Sequence, residues 1–259
     1  MKRLIYQVYV GNTNKLYDWC VKSVSNYCKK FDITHIVQRE PILKILPDPT
    51  RQERNVGNWT KLGYLPIFEK ENAFDLLDQY DQIGIVDSDI YIKESAPNIF
   101  EQLPIEYDFG GVVERSIPTN PKYVNKISKY SKAAFEKLQD VNWEWNEKGG
   151  KFYNMGLMIL NKSFKNYLGG LTAKEFIHQS KYKDLVDGIG YYKWSTDQIL
   201  MNYFVKKEKL KIKDMDWRWN GLFTAVPKDK IKESYFVHFF LRDHLPGRGE
   251  NVQELSKKI

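Results

Sequence analysis

Apolar positions along this chain switch between two periods, and the switches mark its elements. Residues 4–10 form a run of strand-forming residues closed by the turn cluster Gly11-Asn12-Thr13-Asn14. Across residues 16–31 the apolar positions Leu16, Trp19, Cys20, Val24, Tyr27 and Phe31 fall at helical spacing, and residues 35–37 return to a strand. Strand, turn, helix, strand is how an α/β fold with a parallel sheet begins. Residues 41–54 are Pro-rich and charged, hence a loop. Residues 59–69 carry helical spacing that Pro66 interrupts, and residues 72–80 form a second helical piece. Beyond the run at residues 83–92, the pattern predicts a helical turn at 97–103 and a strand at 107–113. It then predicts an amphipathic helix near 128–138, a strand at 151–161, a helix from Lys174, and another opened by Ser195-Thr196-Asp197-Gln198. No Pro/Gly/Ser-rich linker divides these elements and no repeat is visible, so residues 1–259 read as a single domain.

The informative stretch is Ile83-Gly84-Ile85-Val86-Asp87-Ser88-Asp89-Ile90-Tyr91-Ile92. Two carboxylates interrupt an apolar, β-branched run, and charged groups are rarely buried unless paired or bound to metal. Side chains two apart in an extended segment share a face, so Asp87 and Asp89 can converge on one ion. Oxygen ligands suit a hard cation such as Mg²⁺ or Mn²⁺; the competing reading is a polar turn between two short strands. The spacing recurs in Asp214-Met215-Asp216, which follows a Lys-rich stretch and reads as solvated.

Other positions are weighed by their setting. Ligands of parallel sheets sit beyond the carboxyl ends of strands, which makes Val10, Gly11 and Asn12 a candidate ligand loop, or a plain turn. Asn154-Met155-Gly156 leads into a buried strand, where an Asn and a Gly suggest close backbone approach to a ligand. His238 interrupts an apolar strand; alone it is an ordinary core histidine, but beside a carboxylate metal site it completes the ligand set. His244 lies in a segment that reads as surface. Trp143 and Trp145 sit in a polar insertion, where they either stack on a sugar or cap the neighbouring helix.

Composition narrows the setting. The net charge of +7 over 259 residues admits nucleic acid, an anionic surface or a phosphorylated substrate. No nucleic-acid motif appears, so nucleic acid is not expected as a partner, while peripheral membrane contact stays open. No apolar run is long enough to span a bilayer and no signal-peptide pattern is present. Cys20 and Cys28, on one predicted helix, would lie about 12 Å apart, too far for a disulfide. A reducing, cytoplasmic compartment is the simpler expectation.

In order along the chain, the opening strand and turn, Ile85-Val86-Asp87-Ser88-Asp89-Ile90, residues 153–161 and Asp197-Gln198-Ile199-Leu200-Met201-Asn202 resemble the GT-A-fold glycosyltransferases. Within them the chain is similar to the retaining family of glycogenin and the bacterial lipooligosaccharide galactosyltransferases; Trp219-Asn220 and the strand ending at His238 fit as well. The resemblance implies one Rossmann-like domain with a mostly parallel, mixed sheet flanked by helices. About residues 1–113 would bind nucleotide and metal, and about 114–259 would face the acceptor and close the sheet. Asp87, Asp89 and His238 would hold Mn²⁺ or Mg²⁺ on the donor diphosphate. Val10, Gly11, Asn12, Ser88 and Gly156 would line the donor, and Lys61 would contact it. Asn154 would line the donor sugar, Asp197 would bind its hydroxyls, and Gln198 would lie beneath the anomeric carbon. The implied reaction moves a sugar from a UDP-linked donor to a glycan or other hydroxyl acceptor, with retention; an inverting enzyme and a non-catalytic nucleotide-sugar-binding protein are the alternatives. The family's Gly and phosphate-gripping Lys after the histidine are missing from His238-Phe239-Phe240-Leu241-Arg242-Asp243-His244; Arg242 or Arg248 could supply that charge.

Overall fold

The structure, a computed structural model, describes residues 1–11, 14–51, 62–193 and 196–259. Among the described residues nine strands form two sheets: β1 Arg3–Val8, β2 Thr34–Gln38, β3 Gln82–Val86, β4 Ile90–Ile92, β5 Phe109–Val113, β6 Tyr153–Asn161, β7 Ile212–Met215, β8 Gly221–Leu222 and β9 Phe236–His238. The larger sheet has the order β2-β1-β3-β6-β5-β7, with β6 antiparallel to both its neighbours and the other five strands running one way. This is the mostly parallel, mixed sheet expected from the sequence. The smaller sheet has the order β4-β9-β8. Six α-helices surround them among the described residues: α1 Lys15–Lys30, α2 Pro121–Phe135, α3 Ala173–Ile177, α4 Lys183–Asp187, α5 Asp197–Lys207 and α6 Val252–Ser256. None is long and apolar enough to cross a membrane.

Every residue of β3, β5 and β6 is buried, which is why these strands read as continuous apolar runs rather than alternating ones. Asn14 starts α1 by accepting the amide hydrogens of Leu16 and Tyr17, and the predicted stripe through Leu16, Cys20, Val24 and Tyr27 faces the core. Cys20 and Cys28 are both buried, free thiols of this helix, as expected.

Two segments differ from the sequence pattern for physical reasons. The helical signal before β3 is realised as a 3₁₀ run over Pro66–Leu76, whose tighter period carries no single apolar stripe. The amphipathic helix of the insertion begins at Pro121 rather than near Ser128, because Asn120 caps it through the Tyr123 amide and Pro121 suits its first position. Its far end is covered by Trp143, which is buried, stacks on Phe135 at 4.3 Å and donates its indole hydrogen to the Leu138 carbonyl. Trp143 therefore caps the helix, whereas Trp145 is exposed.

Candidate active site

The two carboxylates do not converge through extended backbone. β3 ends at Val86, and the Ile90 amide donates to the Asp87 carbonyl, closing a turn over Asp87-Ser88-Asp89-Ile90. The turn is held on both flanks: the Asp87 amide donates to the Gly156 carbonyl of β6, and the Phe239 amide beyond β9 donates to the Asp89 carbonyl. Register does the rest, because Ile90 pairs with His238 across β4 and β9 and brings the imidazole over the turn. Ligand atoms of Asp87, Asp89 and His238 all lie within 4.8 Å of one another. His238 Nε2 is 3.2 Å from Asp89 and 4.0 Å from Asp87.

Gly156 makes room for this meeting. A Cβ there would sit 2.4 Å from His238 Cε1, so only glycine lets the ring lie against β6. Behind the ring runs a buried polar chain. His238 Nδ1 donates to Asn220 Oδ1 at 3.0 Å, and the Asn220 amide donates to Asn154 Oδ1 at 2.8 Å. Asn154 Nδ2 in turn donates to Glu114 at 2.6 Å, and the Tyr123 hydroxyl donates to the other Glu114 oxygen at 2.6 Å. An imidazole that donates through Nδ1 presents Nε2 as a lone pair, the form that ligates metal. Asn154 thus lies in the layer that orients His238 rather than in the cleft lining.

Lys70 crosses the floor of the site. Its ammonium lies 3.0 Å from Asp87, 2.8 Å from Asp197 and 2.7 Å from the Met155 carbonyl. Burial alone would push the Lys70 pKa down, but the carboxylates of Asp197 and Asp87 hold it above the ordinary lysine range. Burial raises Asp197, opposed by Lys70. Burial likewise raises Glu71 well above the usual carboxylate range, with Asp197 adding to it, and neither Glu71 oxygen has a hydrogen-bond partner among the described residues. For Asp89 burial also pushes upward, but His238 outweighs it and the pKa falls; for His238 burial pushes downward, and Asp89 reverses it.

Among the described residues, Asp87, Asp89, Asp197 and Glu71 therefore face one ammonium and one imidazole. That surplus of acid and the space Gly156 keeps clear fit a divalent cation bound by Asp87, Asp89 and His238.

The acidic end opens into a cleft of about 320 Å³. Asp87, Ser88, Asp89, Lys70 and Asp197 line one end, and Val10 with the edge-on pair Tyr9 and Tyr17 line the other. Arg39 stacks over Tyr9 at 4.2 Å and Arg242 over Tyr17 at 5.4 Å. Of the two arginines considered above, Arg242 reaches the cleft wall, whereas Arg248 pairs with Asp243 at the surface. His244 is exposed and not part of this group. Gly11 is exposed with φ at +101°, a turn conformation that glycine adopts without strain. Gln198 does not line the cleft: it accepts the Met155 amide at 3.2 Å and donates to the Tyr130 hydroxyl at 3.3 Å. Asn12 and Lys61 lie outside the described residues. The basic residue found in the site is Lys70, which the sequence pattern did not single out.

No family model and no curated protein matches the sequence. Solved structures do. A glycosyltransferase involved in glycosylation of the major capsid of PBCV-1 is similar with a TM-score of 0.57 at 10% identity, over 98% of this chain and 100% of that one. The galactosyltransferase LgtC, solved with donor and acceptor sugar analogues, gives 0.53 at 13% identity, over 98% and 94%. Mouse xyloside xylosyltransferase 1 in its apo form gives 0.50 at 11% identity, over 95% and 100%. With its six-stranded mixed sheet and these matches along nearly its whole length, the chain has the GT-A fold found in glycosyltransferases.

Proposed function

We propose that this protein transfers a sugar from a UDP-linked donor to a hydroxyl acceptor with retention of configuration, using Mn²⁺ or Mg²⁺. The observation that carries the reading is the meeting of Asp87, Asp89 and His238 at the mouth of an aromatic cleft. The two ends of that cleft suit the two ends of a nucleoside diphosphate. Tyr9 and Tyr17 offer a surface on which a base can stack. The acidic end repels a bare diphosphate and accepts one only together with a cation. Held by Asp87, Asp89 and His238, the ion would supply Lewis-acid neutralisation of the charge that develops on the leaving diphosphate.

The chain's own residues have distinct tasks. Asn220 fixes the His238 tautomer, Lys70 holds the Asp87 and Asp197 carboxylates in place, and Asp197, in the cleft wall, is the group to accept the donor sugar's hydroxyls. An inverting reaction would recruit Asp197 as its base, but that carboxylate is engaged by Lys70, which favours retention. Gln198, which the resemblance puts beneath the anomeric carbon, sits behind the cleft wall and acts through Met155, whose amide it accepts and whose carbonyl holds Lys70. Gln198→Ala should slow transfer more than it weakens UDP binding; equal losses would make Gln198 a binding residue.

The deciding assay is UDP release from a panel of UDP-sugars with Mn²⁺, repeated with chelator. Release that needs metal, and a product with the donor's anomeric configuration by NMR, are expected. An inverted product would remove retention, and binding of UDP-sugars without any turnover would make the chain a nucleotide-sugar-binding protein.

A further inference from the structure

Building on the glycosyltransferase reading, we infer that the acceptor is an anionic saccharide, bearing phosphate or carboxylate, and that it seats in the groove between α2 and the segment after β9. The groove has a volume of about 530 Å³, and its lining includes Lys122, Lys126, Lys129, Thr224, Leu241 and His244. The three lysines recur at helical spacing on one face of α2 and are all exposed. None forms an ion pair among the described residues, and no carboxylate lines the groove. By contrast, Lys206 and Lys207 of α5 each sit against a carboxylate, Glu144 and Asp140. Like charges at adjacent helical turns repel one another, so an unneutralised row is a cost that an anionic ligand relieves.

The groove is also shaped for more than an ion. Tyr123 and Leu241 give it an apolar floor suited to a sugar ring, and the Thr224 hydroxyl is buried without a hydrogen-bond partner among the described residues. The groove borders the packing around the candidate metal ligand. Tyr123 packs edge-on against Phe240 at 5.8 Å, and Phe240 packs on His238 at 5.7 Å, so two ring contacts join the groove to the candidate metal ligand.

The test is a calorimetric titration of the whole chain, without donor or metal, with galactose 6-phosphate, galacturonate, galactose and inorganic phosphate. Galactose 6-phosphate and galacturonate should bind at least about tenfold more tightly than galactose, and more tightly than phosphate alone, with affinity falling as salt rises. The K122A/K126A/K129A variant should lose that preference while keeping its melting temperature and its stabilisation by UDP with Mn²⁺. Equal affinity for galactose and its 6-phosphate, equal affinity for inorganic phosphate, or a preference that survives the triple substitution would each overturn the proposal. Co-sedimentation with phosphatidylglycerol vesicles, lost in the triple variant while the soluble saccharides fail to bind, would assign the lysines to a membrane surface and equally overturn it. Because donor and metal are absent, a failed UDP-release assay is a separate result.

Discussion

Two Asp-x-Asp segments occupy comparable places in this molecule, and they have opposite fates. Asp87-Ser88-Asp89 follows β3, and Asp214-Met215-Asp216 ends β7, a strand parallel to it at the edge of the same sheet. In the second segment each carboxylate is neutralised by its own neighbours. Asp214 accepts the Tyr153 hydroxyl at 2.7 Å and lies 2.9 Å from Lys151, while Asp216 caps the next turn through the Arg218 amide and guanidinium. In the first segment the carboxylates share partners, and the surrounding acids outnumber the bases. The spacing alone therefore carries no chemistry. Convergence with unrelieved charge does, and β9 supplies the convergence by laying His238 over the first turn only.

The sharpest way to break the comparison is to remove one acid from each segment. Asp89→Ala should lower metal-dependent UDP release by roughly 10²–10³-fold, since a ligand of the ion proposed to stabilise the developing charge is lost, with the fold intact by circular dichroism. Full turnover in this variant would take the metal role from the first segment. Lys70→Met probes the charge balance instead. Removing one partner of a buried ion pair costs about 3–5 kcal/mol, because Asp197 and Asp87 would be left facing each other beside Glu71. Thermal unfolding in chelator should show this loss, and an unchanged melting temperature would mean that Lys70 does not hold the acids together. Smaller again is Asn220→Ala, which frees the imidazole to rotate. It should weaken Mn²⁺ binding by about 10–100-fold in a titration, the usual cost of losing a group that orients a ligand. Unchanged affinity would show that β9 alone fixes His238.

What could be read in the sequence follows the same line. The turn carboxylates, Gly156 and His238 stood out because each interrupts an apolar run, and a polar residue in such a run has to be explained. Lys70 and Glu71 did not, since Glu69-Lys70-Glu71 resembles a solvated stretch and its 3₁₀ period leaves no stripe to contradict that impression. In fact Glu69 and Glu71 are fully buried, and Glu69 accepts the amides of Ile42, Leu43 and Lys44 from a loop distant in sequence. Partners of that kind are set by tertiary contacts, so no local pattern announces them. The chain from Asn220 through Asn154 to Glu114 escaped for the same reason: its members come from three separate segments, and only the assembled sheet puts them in a line. Trp143 shows the reverse case, a residue with polar sequence neighbours that ends up stacked in the core.

The weakest expected effect is the most useful control. Asp214→Ala removes the acceptor of the Tyr153 hydroxyl and the partner of Lys151, yet Asp214 is half-exposed, so water can replace much of what is lost. A single hydrogen bond of this kind contributes about 0.5–1.5 kcal/mol, which for a chain of this size lowers the melting temperature by a few degrees. Metal-dependent UDP release should stay within about twofold, because a substitution clear of the reacting groups removes no transition-state interaction. The position is demanding all the same. Tyr153 begins the strand that carries Gly156, and Asn202 of α5 clamps its backbone on both sides, donating to its carbonyl and accepting its amide. If turnover in Asp214→Ala fell as far as in Asp89→Ala, the second segment would have to act on the site through β6, and the contrast between a neutralised pair and a converging one would fail as the explanation of which Asp-x-Asp is the candidate metal site.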